Sequence, residues 1–132
     1  MCNIEREIPL IHIHGTRDRL QKYNHSDGDF LSTIESVNYW AKYNQLDIKV
    51  VENIEDIHKK DGTTVEKHTY SKNNSNTQVI HFKVVKGGHL WLGSPIADWL
   101  TLRLFFGRNN HEINSSKEIV DFFLKYKLSD FN

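Results

Sequence analysis

The chain has 132 residues and a mass of 15.5 kDa, which predicts one domain with a modest hydrophobic core. Its 17 basic residues balance 17 acidic ones, so no net field attracts nucleic acid or an anionic membrane, and no apolar run is long enough to cross a bilayer. The single cysteine excludes an internal disulfide framework and a cysteine-rich zinc site. Apolar residues, counted with glycine and without tyrosine, make up about 39% of the chain, below the ~45–50% of typical domains.

The first predicted element is a strand over residues 8–14, because this run is almost continuously apolar and β-branched and ends at Gly15. Such a pattern is typical of strands that are buried on both faces in a parallel sheet. A polar loop follows, and Ser32 or Thr33 can cap a helix over residues 33–44. A strand, a helix and a later strand form the crossover unit that parallel sheets require.

The rest of the chain predicts a β-hairpin and a C-terminal helix, with no linker, so that residues 1–132 form a single unit. The hairpin strands are residues 65–71 and 77–85, joined by a five-residue polar connection. A short apolar patch (46–51) and a polar stretch (52–60) precede the hairpin. It is followed by a glycine-flanked loop (87–93) and by an apolar segment (95–106) that fits a helix or a docking segment. The last helix begins at Asn114 or Ser115, with Glu118 placed for a capping box, and has an apolar face formed by Ile119, Val120, Phe122, Phe123 and Tyr126.

Eight histidines are a high count for this length. His12 and His14 are two residues apart on the predicted strand and therefore share a face, either as two ligands of a metal or as two hydrogen-bonded imidazoles. No nearby carboxylate or histidine completes a ligand set, so we predict no metal. His81 is expected to pack within its strand or at its edge. The histidines in polar surroundings are expected to be solvated: His25, His58, His68 and His111.

His89 and Asp18 are the residues whose positions favour chemistry. His89 lies after a predicted strand in a glycine-flanked loop that must bend tightly, and Asp18 follows the first strand. Because reactive groups of open α/β sheets lie beyond the carboxyl ends of parallel strands, both are expected at one rim of the sheet. A carboxylate bonded to an imidazole fixes its tautomer and stabilises the imidazolium, as an acyl-transfer triad needs. The alternative is a pair of ordinary loop residues.

Three motifs in the correct order give the chain a resemblance to a known family. Residues 10–18, Leu-Ile-His-Ile-His-Gly-Thr-Arg-Asp, resemble the strand-and-acid motif of α/β-hydrolases. Residues 61–65, Asp-Gly-Thr-Thr-Val, and 87–93, Gly-Gly-His-Leu-Trp-Leu-Gly, resemble two further motifs of the polyhydroxybutyrate depolymerase and feruloyl esterase group. The final helix, residues 114–123, also resembles the last helix of that group. The similarity covers almost the whole chain, which resembles only the C-terminal half of these enzymes.

The resemblance implies the C-terminal part of an α/β-hydrolase fold, with parallel strands, a crossover helix, a β-hairpin and a C-terminal helix. It implies a serine esterase or depolymerase that acts on polyester or carbohydrate-linked acyl esters without a cofactor. Asp18 would be the triad acid, His89 the general base and Trp91 a substrate contact. Members of this group are often secreted, but the sequence begins without a signal-peptide pattern, so the localisation stays open.

The sequence departs from the family at the nucleophile. In this fold the serine precedes the acid, yet no serine lies before Asp18 and no G-x-S-x-G pattern occurs anywhere in the chain. The half of the domain that bears the nucleophile elbow, and with it the oxyanion-hole loop, is missing. We therefore expect a truncated or degenerate esterase that is inactive alone.

Two alternatives stay open. In the first, the chain is one half of a split esterase, whose serine comes from a partner chain, and the partner or a second copy covers an open sheet. In the second, the chain is a small carbohydrate- or metal-binding module that uses Trp91, Trp99 and the histidines. Neither alternative involves nucleic acid or a membrane.

Overall fold

The computed structural model describes residues 6–24 and 31–127, and within them it shows a mixed α/β arrangement of four strands and three α-helices. The strands are β1 (Leu10–Gly15), β2 (Ile48–Ile54), β3 (Thr64–Ser71) and β4 (Val79–Val85). The α-helices are α1 (Thr33–Tyr43), α2 (Leu100–Phe106) and α3 (Ser115–Phe123), and a single 3-10 turn precedes α2 at Pro95–Asp98.

The four strands form one sheet in the order β1-β4-β3-β2. β1 pairs with β4 in parallel, whereas β4 with β3 and β3 with β2 pair antiparallel. The predicted hairpin is confirmed as β3 and β4, although its connection spans residues 72–78 and is longer than predicted. The chain thus leaves β1, forms α1, and returns through two antiparallel strands to place β4 beside β1.

β2 is the strand that the sequence pattern did not reveal. The pattern predicts a short apolar patch over residues 46–51 and then a polar stretch, but the strand continues to Ile54 and pairs along its whole length with β3. β2 is exposed on both faces, so charged residues such as Lys49 and Glu52 interrupt any alternation of apolar side chains. A strand without a buried face carries no period-2 signal.

The expectation that the first strand is buried on both faces is wrong. Among the described residues, β1 lies at an edge of the sheet, with β4 as its neighbour on one side, and five of its six residues are only half-buried. Helices α1 and α3 both contact β1, which explains why its sequence is apolar without being fully enclosed.

Two apolar clusters cover the two faces of the sheet. Because Val79 and Ile80 are consecutive on β4 and belong to different clusters, the clusters lie on opposite faces. The α1 face is packed by Val37, Ala41, Tyr70 and Val79, and the α3 face by Val65, Ile80, Phe82, Val84, Leu92, Ile113 and Phe122. Each cluster is small, in keeping with the low apolar content of the chain.

Both α1 and α3 begin at a residue that the sequence predicts as a cap, but the capping box predicted for α3 is wrong. Ser32, one of the two residues predicted as a cap, caps α1, and it also forms a capping box with Glu35 that the sequence analysis did not predict. Asn114 caps α3 and accepts from the Lys117 amide, so the capping box predicted from Ser115 does not form. The apolar segment before α3 forms the 3-10 turn and α2, and α2 buries none of its residues. Within the described residues, no helix combines the length and apolar character needed to cross a membrane.

Candidate active site

Asp18 and His89 lie at the same rim of the sheet because β1 and β4 run in parallel. β1 ends at Gly15 and β4 ends at Val85, so the loops that follow both strands leave the sheet at their carboxyl ends. Asp18 is the third residue after β1 and His89 the fourth after β4. The topology alone therefore places these two loops side by side.

A close backbone approach holds the two loops together. The Arg17 amide donates to the Gly87 carbonyl at 2.9 Å, directly beyond the paired strand ends. A Cβ at Gly15 would lie 2.6 Å from the Gly88 carbonyl oxygen and closer still to the carbonyl group of Gly87, so only glycine fits there. The amide of His89 donates in turn to the Phe106 carbonyl at 2.7 Å, which anchors the loop on its other side.

The Asp18 carboxylate accepts four hydrogen bonds. Its Oδ2 atom accepts from His89 Nδ1 at 2.7 Å and from His14 Nε2 at 3.1 Å. Its Oδ1 atom accepts from the amides of Leu20 and Gln21 at 2.9 and 2.8 Å. The side chain is only 4% exposed, whereas that of His89 is 48% exposed. A buried carboxylate is thus fully satisfied and presents a half-exposed imidazole to solvent.

These donors keep Asp18 ionised. Burial raises the pKa of the Asp18 carboxyl, but the hydrogen bonds from the Gln21 amide, the His89 ring and the Leu20 amide lower it by more. The net result is a pKa below the ordinary value of 3.8. At neutral pH, Asp18 is therefore a carboxylate that can stabilise positive charge on His89.

The acceptors determine the tautomers of both imidazoles. Asp18 can only accept, so we assign the proton of His89 to Nδ1, which leaves Nε2 as a free acceptor with no partner among the described residues. His14 Nε2 faces two acceptors, Asp18 and the Gln21 carbonyl at 3.0 Å, so it carries the proton. His14 Nδ1 then accepts from the Thr33 hydroxyl at 2.6 Å. Every hydrogen bond in this network is therefore directed toward the Asp18 carboxylate. Thr33 donates to His14, and His14 and His89 each donate to Asp18.

The Asp18→Asn variant is expected to reverse the tautomer of His89. The amide oxygen of the new side chain would keep the Leu20 and Gln21 amides as donors, so its NH2 group would face the ring nitrogens of His14 and His89. His89 Nδ1 must then accept, and the proton moves to Nε2. Nitrogen-15 NMR of the imidazoles, which distinguishes protonated from unprotonated ring nitrogens, measures this change. A variant whose His89 keeps its proton on Nδ1 would contradict the assignment.

The Asp18–His89 pair opens into a cleft of about 370 Å³. Trp91 lines the cleft and is 58% exposed as a residue, and its indole Nε1 donates to Ser116 Oγ at 2.9 Å. This hydrogen bond orients the ring without covering it. The cleft is lined by Ile13, His14, Gly15, Asp18, Gln21, Gly88, His89, Leu90, Trp91 and Leu92.

A row of histidines lies on the α1 face of the sheet, and the sequence analysis missed it. His12 on β1, His81 on β4 and His68 on β3 occupy paired register positions, so their rings follow one another across the sheet. The expectation that His68 is solvated is wrong, because it is buried and bonded to Glu66 at 3.0 Å. Strand register, which a single sequence does not contain, is the signal that aligns the three rings.

The rings of this row are packed together, and two of them, His12 and His81, are held neutral by burial. His81 is fully buried, as expected for a packed residue, and the Tyr23 hydroxyl contacts its Nε2 at 2.7 Å. Burial, with the neighbouring His14, lowers the pKa of His12 to about 4, and burial, with His12, lowers the pKa of His81 to about 3. Across residues 6–24 and 31–127, no group of three or more histidine, cysteine or acidic side chains is arranged to hold a metal.

A larger cleft of about 520 Å³ shares no lining residue with the Asp18–His89 site. At its edge, His111 is not simply solvated, because its two ring nitrogens contact the carboxylates of Asp98 and Asp61 at 3.0 and 2.9 Å. These two contacts raise the pKa of His111. His58 is half-exposed nearby, as expected, and His25 lies outside the described residues. His111 links its own loop to the segments that carry Asp61 and Asp98, and this position indicates a structural role.

Comparison with known proteins identifies no relative of this chain. No protein-family model, curated protein or solved structure matches the chain. The plain finding is a mixed α/β chain, with a four-stranded mixed sheet and three α-helices in the described residues, that brings an aspartate and a histidine together at the carboxyl ends of two parallel strands.

Proposed function

We propose that this chain supplies the acid and the base of a serine esterase of the α/β-hydrolase type, similar to the polyhydroxybutyrate depolymerase and feruloyl esterase group. The observation that carries the proposal is the 2.7 Å hydrogen bond between Asp18 and His89 at the rim of the sheet. It supports a triad because Asp18 is buried and ionised, while His89 has its second nitrogen free beside a cleft.

In the proposed reaction, a serine hydroxyl attacks the ester carbonyl while His89 Nε2 accepts the hydroxyl proton. The imidazolium that forms is stabilised by the Asp18 carboxylate, and its proton passes to the departing alcohol as the acyl-enzyme forms. A water molecule then attacks the acyl-enzyme, with His89 again as base, and releases the carboxylic acid. Trp91, which lines the cleft and is exposed, is suited to contact an aromatic or carbohydrate portion of such an ester.

The described residues that line the Asp18–His89 cleft do not supply a nucleophile. None of them is a serine, and Ser116, the described serine bonded to Trp91, lies outside that lining. Without a nucleophile, covalent catalysis is lost, and a base alone accelerates hydrolysis only weakly. The proposed activity therefore requires a hydroxyl from outside the residues that form the cleft.

The purified chain is expected to hydrolyse p-nitrophenyl butyrate no faster than its His89→Ala variant. Release of p-nitrophenol, followed by absorbance at pH 7.5, measures the rate, and His58→Ala serves as a control that removes a half-exposed histidine outside the cleft. Rapid turnover that His89→Ala abolishes and His58→Ala retains would place a nucleophile within this chain and overturn the statement that it is inactive alone. Turnover that survives in His89→Ala would overturn the proposed role of His89.

A further inference from the structure

The cleft of about 520 Å³ beside His111 takes no part in the proposed reaction, and we call it the second cleft. It lies between two segments of the chain, one within residues 57–61, before β3, and one within residues 98–111, which include α2. Its volume falls within the roughly 300–1,000 Å³ that is typical of small-molecule sites. Three cations, two carboxylates, two histidines, an isoleucine and an asparagine line it. Charged groups therefore decide which molecules can enter.

The two carboxylates of the second cleft already have partners. Asp61 accepts from the amide and hydroxyl of Thr63 through Oδ1, and from the amide and ring of His111 through Oδ2. Asp98 accepts from Asn109 Nδ2 and from the other ring nitrogen of His111, both at 3.0 Å. Carboxylates can only accept, so this arrangement favours the imidazolium form of His111, which donates from both nitrogens. The two acids are thus compensated within the chain.

The three cations of the second cleft have no such partners. Lys59, Lys60 and Arg103 are exposed, and none of them forms an ion pair or a side-chain hydrogen bond with another described residue. The two lysines belong to one wall of the cleft, and Arg103 belongs to α2 in the other wall. Because the carboxylates are compensated, the cleft carries an excess of positive charge, which raises the local concentration of anions. An anion between the walls would be contacted from both sides.

Apolar surface lies beside these cations. Ile57 lines the second cleft and is 67% exposed as a residue. The methylene stems of lysine and arginine side chains add further apolar surface when their charged ends reach toward water. A cleft that combines an apolar wall with positive charge is complementary to a molecule with an apolar body and one anionic end. An inorganic anion has no apolar body and cannot use the Ile57 wall.

The side chains of the second cleft favour a carboxylate as the anionic end. The planar guanidinium of Arg103 can donate two parallel hydrogen bonds to the two oxygens of a carboxylate. Lys59 and Lys60 supply positive charge without a fixed geometry and can follow the ligand. A phosphate group is commonly cradled by backbone amides in a glycine-rich loop, and no glycine lines this cleft in the described part of the chain. The fork of Arg103 is therefore the group that selects the ligand.

Helix α2 connects the second cleft to the loop that carries His89. Arg103 lies one turn before Phe106, whose carbonyl accepts the His89 amide at 2.7 Å. The rings of Phe106 and His89 are also in contact, with 6.3 Å between their centroids. α2 buries none of its residues, so the core does not hold it in place. A ligand that bridges Arg103 and the opposite wall would hold α2, and with it the loop of His89.

We propose that the second cleft binds a small-molecule carboxylic acid with an apolar body. The carboxylate lies between Arg103 on one wall and Lys59 and Lys60 on the other, and the body packs against Ile57. Since the second cleft shares no lining residue with the candidate active site, the inference does not depend on the proposed function. Occupation of the cleft also holds α2 in place, which protects the hydrogen bond that the His89 amide donates to α2.

The test titrates the purified chain with hexanoate at pH 7 and follows binding by isothermal titration calorimetry and by NMR. Hexanoate is expected to bind once per chain, to shift the Arg103 Nε–H signal and to slow hydrogen exchange of the His89 amide. Its neutral analogue hexanamide, the shorter acid acetate and inorganic phosphate are each expected to bind at least tenfold more weakly. Each of these probes lacks one feature that the cleft recognises: the charge, the apolar body or the planar carboxylate.

Variants locate the bound hexanoate. Arg103→Gln, and the double variant Lys59→Gln with Lys60→Gln, replace exposed cations by neutral polar side chains and are each expected to weaken binding at least tenfold. Lys42→Gln is the matched control, because it removes an exposed lysine of α1 that does not line the cleft, and it is expected to bind as wild type does. His89→Ala is also expected to bind hexanoate as wild type does.

Each contrary result overturns the proposal in a different way. Equal affinity for hexanoate and hexanamide would show that charge does not select the ligand, and equal affinity for acetate would remove the role of the apolar wall. Equal affinity for phosphate would overturn the choice of a carboxylate. Binding that Arg103→Gln and the lysine variant leave unchanged, or that His89→Ala abolishes, would place hexanoate outside the second cleft. No saturable binding at millimolar hexanoate would overturn the site itself.

Discussion

Acidification from pH 7 to pH 5 is expected to lower the free energy of unfolding by about 4 kcal/mol, with about 2 kcal/mol from each of His12 and His81. Both histidines have an ordinary pKa of 6.5. Burial, and next the neighbouring His14, lowers the pKa of His12 to about 4, whereas burial, and next His12, lowers the pKa of His81 to about 3. Between pH 6.5 and these values, the unfolded chain binds protons that the folded chain does not. Stability therefore falls as the pH falls through this window.

The other titrating groups do not reverse this direction. The carboxyls of Asp18 and Glu66 have lowered pKa values, so their contribution is present above their ordinary values and is lost only below about pH 4. His111 opposes the trend, because Asp98 and Asp61 raise its pKa, and its contribution is present below pH 6.5 and lost as the pH rises. Its ring is more than a third exposed, so solvent screening keeps this term small.

Urea unfolding at pH 7, 6 and 5 measures the effect. His81→Gln keeps a donor and an acceptor beside Tyr23 but cannot be protonated, so it is expected to be less stable at pH 7 and to show about half the pH dependence. Tyr23→Phe is the matched control, since it removes the contact with His81 and leaves both imidazoles buried. It is expected to lower stability about equally at every pH. A wild-type free energy of unfolding that is the same at pH 5 and pH 7 would show that these rings are not held neutral by burial.

Gly15→Ala is expected to lower the free energy of unfolding by about 3 kcal/mol, at the upper end of the cost of overpacking. The added methyl group would overlap the carbonyl groups of Gly87 and Gly88, which are backbone and cannot rotate away. The end of β1 must therefore separate from the loop that carries His89, and the hydrogen bond from His89 to Asp18 is expected to break. Urea unfolding measures the first effect, and loss of the downfield Nδ1 proton of His89 in proton NMR measures the second.

Gly62→Ala provides the comparison for this effect. Gly62 has a φ of +69°, so alanine is strained there by about 1 kcal/mol, but its Cβ would meet only the flexible end of the Arg108 side chain. This variant is expected to lose less stability than Gly15→Ala and to keep the His89–Asp18 hydrogen bond. If both variants lose the same stability and both keep that bond, the close approach at Gly15 does not position the pair.

The sequence predicts the elements that have a buried face or a strong cap. The strand that ends at Gly15, the helix capped by Ser32 and the antiparallel pair β3 and β4 all follow from such local signals, and so does the placement of Asp18 and His89 after two strands. β2 could not be predicted, because it is exposed on both faces and its sequence shows no alternation. The alternation of apolar and polar residues reveals a strand only when one of its faces is buried, and almost every residue of β2 is exposed.

The contacts that complete the site depend on register, which a single sequence does not contain. His14 is recognisable as a strand residue, but its role as the second donor to Asp18 follows from the position of Thr33 and of the Gln21 carbonyl around its ring. His68 has polar neighbours in sequence and is buried only because its pairing with His81 places it under the α1 face. Tertiary neighbours, and not local composition, determine the environment of both histidines.

The four hydrogen bonds that Asp18 accepts all come from groups within this chain, and this makes the acid–base pair modular. Its geometry is set when β1 and β4 pair, before any nucleophile or substrate arrives. A molecule that binds in the cleft would not have to order Asp18 or His89, so its binding free energy would not be reduced by the entropy of arranging them.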